Sequence, residues 1–174
     1  MVLRTAAWRM LVLGCVATCA LTGCSANDSP SVAPSVIGDR TQLCTDRVEA
    51  AAATAVIGRP VTDLRELNTF VAGTRAGECA LLGTDGGALL SVQVVHDVGA
   101  KALEAELKTI SQDENYSGDD RSGVTGEGIT TTALVAVDND YYVRVLGLGG
   151  SSSDQRTAAL ALATSVAASA KAIK

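Results

Sequence analysis

The sequence predicts an α+β fold, an antiparallel sheet of about four strands with helices packed on one face, in the order α-(α)-β-β-α-β-β-α. Alanine-rich stretches with helical periodicity stand at 45–57 and 154–173. Between them lie two pairs of segments that alternate apolar and polar residues, each pair joined by a turn of Asp, Asn or Gly. A further amphipathic segment, 100–112, separates the two hairpins.

Taken in order, the first helix is expected from Thr45 to Ile57, with Val48, Ala52, Ala55 and Val56 along one side. Thr45 is placed to cap its start, Gly58 to end it in the left-handed conformation, and Pro60 to forbid continuation. Leu64, Leu67 and Val71 recur at helical spacing and suggest a short second helix over Thr62–Val71. Cys79 opens a strand, Asp85-Gly86-Gly87 turns the chain, and Ala88–His96 returns beside it. In the returning strand Leu90, Val92 and Val94 share one face and Ser91 and Gln93 the other, as in a sheet dry on one side and wet on the other.

The helix Ala100–Gln112 carries Leu103, Leu107 and Ile110 on one face and a Glu104–Lys108 pair on another. The polar stretch Asp113–Gly128 reads as a loop. A second hairpin, Ile129–Val137 with Tyr141–Leu146, turns at Asp138-Asn139-Asp140. The closing helix, Asp154–Ile173, presents Ala159, Leu162, Val166, Ala170 and Ile173 as its apolar stripe.

Upstream, Arg4 and Arg9 make the N-terminus basic, and an apolar run follows from Met10 to Leu21. A membrane span takes about 20 residues, so this run is too short for one. It has the length of the apolar region of a secretory signal. It ends in Leu21-Thr22-Gly23-Cys24, which resembles the bacterial lipobox. The resemblance implies a diacylglycerol on the Cys24 thiol and cleavage just before it, with residues 1–23 removed as a lipoprotein signal peptide. An ordinary cleaved signal in which Cys24 is incidental is the other reading. Residues 24–41 are rich in Ser and Pro and too poor in bulky apolar groups to offset the entropy of ordering, as expected of a flexible tether. A single domain is then expected over 42–174.

Losing residues 1–23 removes Arg4 and Arg9 from the 14 basic residues and none of the 19 acidic ones, so the formal charge falls from −5 to −7. An acidic chain disfavours nucleic acid, which is bound through Lys and Arg on its phosphates. It gains nothing from an anionic membrane surface either, so the partner expected at the membrane is the bilayer itself, through the lipid on Cys24. Of the five cysteines, Cys15 and Cys19 leave with the signal and Cys24 takes the lipid. Outside the cytoplasm the remaining Cys44 and Cys79 most simply form a disulfide. A redox pair or a metal site is the rival, but the chain has neither a CxxC spacing nor a Cys/His cluster.

Cys24, the Ser/Pro tether, Cys44 at an Ala-rich helix, Cys79 opening the first hairpin and the closing Ala-rich helix together resemble a family of actinobacterial lipoproteins. These are built on small two-cysteine domains of unknown function. The likeness covers most of the chain after Cys24. It implies a fold and a compartment, the cell membrane facing away from the cytoplasm, and no reaction.

Several stretches could carry chemistry. Asp113-Glu114-Asn115-Tyr116-Ser117-Gly118 matches the first half of a calcium loop, with Asp119 and Asp120 as further oxygens, but position 12 is Val124 and the nearest Glu is Glu127. A solvated acidic turn is the plainer reading, and no metal or other cofactor is expected. Gly147-Leu148-Gly149-Gly150 lies between strand and helix, yet lacks the third glycine of a dinucleotide fingerprint and is explained as a helix start capped by Ser152 or Ser153. His96, the single histidine, has Asp97 beside it in the chain, and neighbours along a strand point to opposite faces. A rim histidine is therefore preferred to a general base.

What remains is a surface. Ser91, Gln93, Thr130, Thr132, Tyr142 and Arg144 are expected together on the wet face of the sheet, where Tyr and Arg suit contact with a protein or glycan. The function expected is a non-enzymatic binding or accessory module of the cell envelope, with another envelope protein as partner. A carrier or sensor of a small apolar or lipidic ligand is the alternative, and a hydrolase comes third.

Overall fold

The structure, a computed structural model, describes residues 33–173. Its strands are β1 (Ser35–Val36), β2 (Gln42–Leu43), β3 (Val48–Glu49), β4 (Arg65–Asn68), β5 (Gly77–Leu82), β6 (Ala88–His96), β7 (Ser117–Gly118), β8 (Ser122–Glu127), β9 (Thr130–Ala136) and β10 (Tyr141–Gly147). Its helices are α1 (Ala50–Ile57), α2 (Lys101–Ile110) and α3 (Ser153–Ala172), with a 3₁₀ turn at Val98–Ala100. Eight strands form one sheet in the order β1-β4-β5-β6-β10-β9-β8-β7, every pair antiparallel, while β2 and β3 make a separate small hairpin.

This corrects the expected architecture in two respects. The sheet has eight strands rather than about four, and its helices lie on both faces. Val92, Val94, Ala133, Val135, Val143 and Val145 point to one side, where Ala159, Leu162, Ala163 and Val166 of α3 and Val56 of α1 meet them in a continuous aliphatic core. Leu134 alternates with Ala133 and Val135, so it faces the other way. There it packs with Tyr142 against Leu103 and Leu107 of α2.

The two central hairpins form where the alternation placed them. Gly83 to Gly87 closes the first, with the Asp85 carboxylate accepting the Gly87 N–H at 3.0 Å. The Asp138 carboxylate accepts the Asp140 N–H at 2.8 Å in the second. Helix α3 starts with a capping box, in which Ser152 accepts the Gln155 N–H and the Gln155 side chain accepts the Ser152 N–H. Gly58 ends α1 at φ 79°, the left-handed conformation that glycine adopts without strain.

Four local expectations give way. The first helix starts at Ala50, because 42–49 form the β2–β3 hairpin around Cys44, Thr45 and Asp46, all at φ near +60°. Thr45 caps nothing there; its hydroxyl instead donates to the Phe70 carbonyl and accepts from Asn68. The short helix over 62–71 is strand β4, whose residues 65–68 pair with β5. Leu64 and Leu67 are spaced for a helix, but β4 extends the sheet and turns Glu66, balanced by Arg40 at 3.3 Å, toward the dry face. The loop over 113–128 contains β7 and β8. β1, also in the large sheet, lies within the stretch read as tether.

The disulfide joins Cys44 to Cys79, both almost fully buried, and pins the β2–β3 hairpin to β5. Beside it the buried Arg47 lies over the Phe70 ring at 4.3 Å and donates to the carbonyls of Thr74 and Arg75. Gly147 and Gly149 let the end of β10 pass directly beneath α1: a Cβ at Gly149 would fall on the Ile57 carbonyl, and one at Gly147 on the Val56 side chain. That packing accounts for the glycine run before α3.

Candidate functional site

The second face of the sheet is only half covered. Across it, Leu67, Ala80, Ser91, Leu146, Thr132 and Thr125 stand in one lateral row through six strands. The next row runs Glu78, Gln93, Arg144, Leu134, Gly123, and α2 lies over its Leu134 end.

Of the residues the sequence grouped, Ser91, Gln93, Arg144 and Thr132 lie in these two rows, and Thr130 stands opposite Glu127 at the end of the β8–β9 pair. All five are half-buried. Ser91 donates to the Glu78 carboxylate at 3.1 Å. Tyr142 shares the face but lies under α2, 3% exposed, its hydroxyl donating to Glu106 at 2.8 Å. Burial, then the Glu106 carboxylate, push the Tyr142 hydroxyl well above the ordinary tyrosine range, so it stays protonated. Glu106 also lies 3.7 Å from the Arg144 guanidinium and so borders the open area.

Asp97 sets the position of α2. Its carboxylate accepts the backbone N–H groups of Leu103 at 2.8 Å and Ala102 at 3.0 Å, and these bonds hold its pKa below the ordinary carboxylate range. It is therefore committed to the helix start and makes no hydrogen bond to His96. The exposed His96 ring instead lies 4.7 Å from the Tyr141 ring, and among the described residues no serine or carboxylate is hydrogen-bonded to it.

Beside β8 the calcium-like stretch folds as two turns on either side of the edge strand β7. Asp113 accepts the Asn115 N–H at 2.8 Å, while Asp119 accepts the N–H groups of Arg121 and Ser122. These bonds lower the pKa of both carboxylates. Among the described residues no three His, Cys, Asp or Glu side chains gather as a metal site would need.

Two open clefts of about 520 and 490 Å³ adjoin there and share Asp113, Thr125 and Glu127. Ile110 and Thr109 of α2 wall the first, and Ile129, Thr130 and Thr132 the second. Thr125, 8% exposed, makes no side-chain hydrogen bond. Its hydroxyl instead faces the Asp113 carboxylate and, after the Asn115 N–H, helps to lower that group's pKa.

Glu106 and Thr125 are the residues that sequence reasoning missed, while Glu127 entered it only as a misplaced calcium ligand. Glu106 precedes Leu107 and follows Leu103 by three on α2, so a reading that placed this helix over Tyr142 would have found it. Thr125 lay in a stretch taken for a loop.

No family model matches the chain, and neither a curated protein nor a solved structure matches it. Cys24 lies outside the described residues, as does the whole of 1–32. Among the described residues no helix is long and apolar enough to cross a membrane.

Proposed function

We propose that the chain is an extracytoplasmic lipoprotein, anchored to the cell membrane by diacylglycerol on Cys24, that acts as a non-enzymatic binding or accessory module of the envelope. The uncovered half of the sheet carries this reading. Ser91, Gln93, Thr132 and Arg144 form a level polar surface with Leu67 and Leu146 set into it, bounded on one side by α2. Such a mixture of half-buried leucines, short hydroxyls and one arginine suits another protein of the envelope, with Arg144 as its anchoring contact. The lipobox resemblance at Leu21-Thr22-Gly23-Cys24 supports the address. The Cys44–Cys79 disulfide agrees with it, since such bonds persist outside the reducing cytoplasm.

Two measurements test the reading. Cys24→Ala should move the protein from the membrane fraction to the soluble one; retention on membranes at an unchanged mass sinks the anchor. A photoreactive phenylalanine analogue at Gln93 should crosslink a discrete envelope protein in intact cells, and the same group at the exposed Ala161 of α3 should not. Equal or absent crosslinking at the two positions removes the sheet surface from the proposal.

A further inference from the structure

Helix α2 is joined to β6 through two successive residues in the left-handed conformation, Gly99 at φ 75° and Ala100 at φ 56°. Glycine adopts it freely, but the Ala100 side chain strains it, and strain of this kind gathers at clamps and switch segments. The chain is fixed on either side of the helix. The Asp97 N–H donates to the Asp140 carbonyl at 2.7 Å, and the Tyr116 ring closes over Gly123. Between these points, 98–112 is held down by Leu103 and Leu107, the Tyr142–Glu106 bond and the two N–H groups that Asp97 accepts. By contrast, α1 and α3 share one large aliphatic cluster with the sheet.

Beneath α2 lies the apolar part of the second face. Val95, Tyr142 and Ala136 stand opposite one another across β6, β10 and β9, and Leu134 adjoins Arg144 in the neighbouring row. We infer that 98–112 is a strap that opens as a unit about Gly99 and Ala100 while the sheet stays folded, uncovering Leu134 and Tyr142. Opening relaxes Ala100, which lowers its cost. It exposes two leucines and parts one buried side-chain hydrogen bond, and it leaves the aliphatic core intact. A segment so held stands open in a minor fraction of molecules, on the order of 1% or less. In the open state the apolar row joins Arg144 and Gln93 in one surface. That consequence rests on the proposed reading of this face as a contact surface, whereas the opening itself does not.

The test is native-state hydrogen exchange of the full chain, followed by NMR under conditions where each rate reports an open population. The amides of 105–110 should exchange together, about 100-fold faster than those of Val92 and Val143 at the centre of the sheet. Leu90→Ala separates opening of the strap from unfolding of the whole, because Leu90 lies in the core beneath the other face and stays buried when the strap opens. It should speed the Val92 and Val143 amides about 30-fold or more, the scale of a core leucine truncation, and leave the 105–110 amides unchanged. Leu90→Val gives the same comparison with a smaller shift where the alanine variant does not fold. Ala100→Gly should slow the 105–110 amides about threefold, the left-handed penalty less the backbone entropy that glycine adds. If Leu90→Ala speeds 105–110 in step with the sheet, α2 opens only with the whole fold and the inference is overturned. If Ala100→Gly leaves those amides unchanged, the hinge at Gly99 and Ala100 is overturned. Isolated protein suffices for these measurements, so either failure leaves the crosslinking test of the contact surface untouched.

Discussion

The two faces of the eight-stranded sheet are built by different rules. Under α1 and α3 the residues are aliphatic, nearly all fully buried, and belong to a single cluster. Under α2 only Leu103, Leu107, Leu134 and Tyr142 are buried together, and the rest of that face carries hydroxyls, carboxylates and Arg144 in partial contact with water. Stability is concentrated on the first face, because apolar area removed from water is the dominant favourable contribution to folding. The second face is thereby released to hold groups that a core could not tolerate, such as Arg144 and the Glu78 and Glu106 carboxylates.

The sharpest way to break this contrast is to delete matching leucines. Leu90→Ala, on the closed face, should cost about 2–5 kcal/mol in urea unfolding. Leu146→Ala, half-buried on the open face, should cost under about 1 kcal/mol. Similar losses at the two positions would mean that the faces are equivalent. Next in size is the disulfide: Cys44→Ser should destabilise by about 2–4 kcal/mol, since the bond ties the outlying β2–β3 hairpin to the sheet.

Tyr142→Phe asks how firmly α2 is held. It removes the bond to Glu106 and should cost about 0.5–1.5 kcal/mol, with the backbone amides of α2 exchanging faster with solvent. Asp97→Asn addresses the same helix through pH. The Asp97 carboxylate has a lowered pKa in the fold, so its contribution is complete above the ordinary carboxylate pKa of about 3.9 and is lost as pH falls through the lowered value. The variant should therefore be less stable than wild type at neutral pH, with the gap closing in acid; a constant gap would exclude the carboxylate's charge as the cause. The smallest effect is expected at Ser91→Ala, within about 0.5 kcal/mol, while its consequence for crosslinking from Gln93 would locate the contact surface.

Legibility in the sequence followed the size of the side chains. β6 and β10 were readable because valines and leucines alternate there with polar groups. β8, Ser-Gly-Val-Thr-Gly-Glu, offers one bulky apolar residue in six and was taken for loop. It is a strand because its glycines admit neighbours: the Tyr116 ring and Leu107 close over Gly123, and Ser151 and Arg156 over Gly126. β4 misled in the opposite sense, since Leu64 and Leu67 satisfy a helical spacing while the backbone of 65–68 pairs with β5 and the Leu64 carbonyl accepts the Ile37 N–H. For the candidate sites, the rows on the sheet were visible from alternation in β6 and β10. The Asp113–Glu127 junction was not, because it depends on β8 bringing Thr125 and Glu127 alongside the turn after α2.

By itself the sequence determined the two hairpins and their turns, the capped closing helix and the left-handed stop at Gly58. All of these are set by neighbours a few residues apart, whose geometry the backbone dictates locally. Only the tertiary structure decided the width of the sheet and the side on which α2 rests. An amphipathic stripe states that a helix has a dry side without naming the surface it will meet. For α2 that surface is Leu134 and Tyr142, on strands more than twenty residues further along the chain, and its choice divides the sheet into a closed face and an open one.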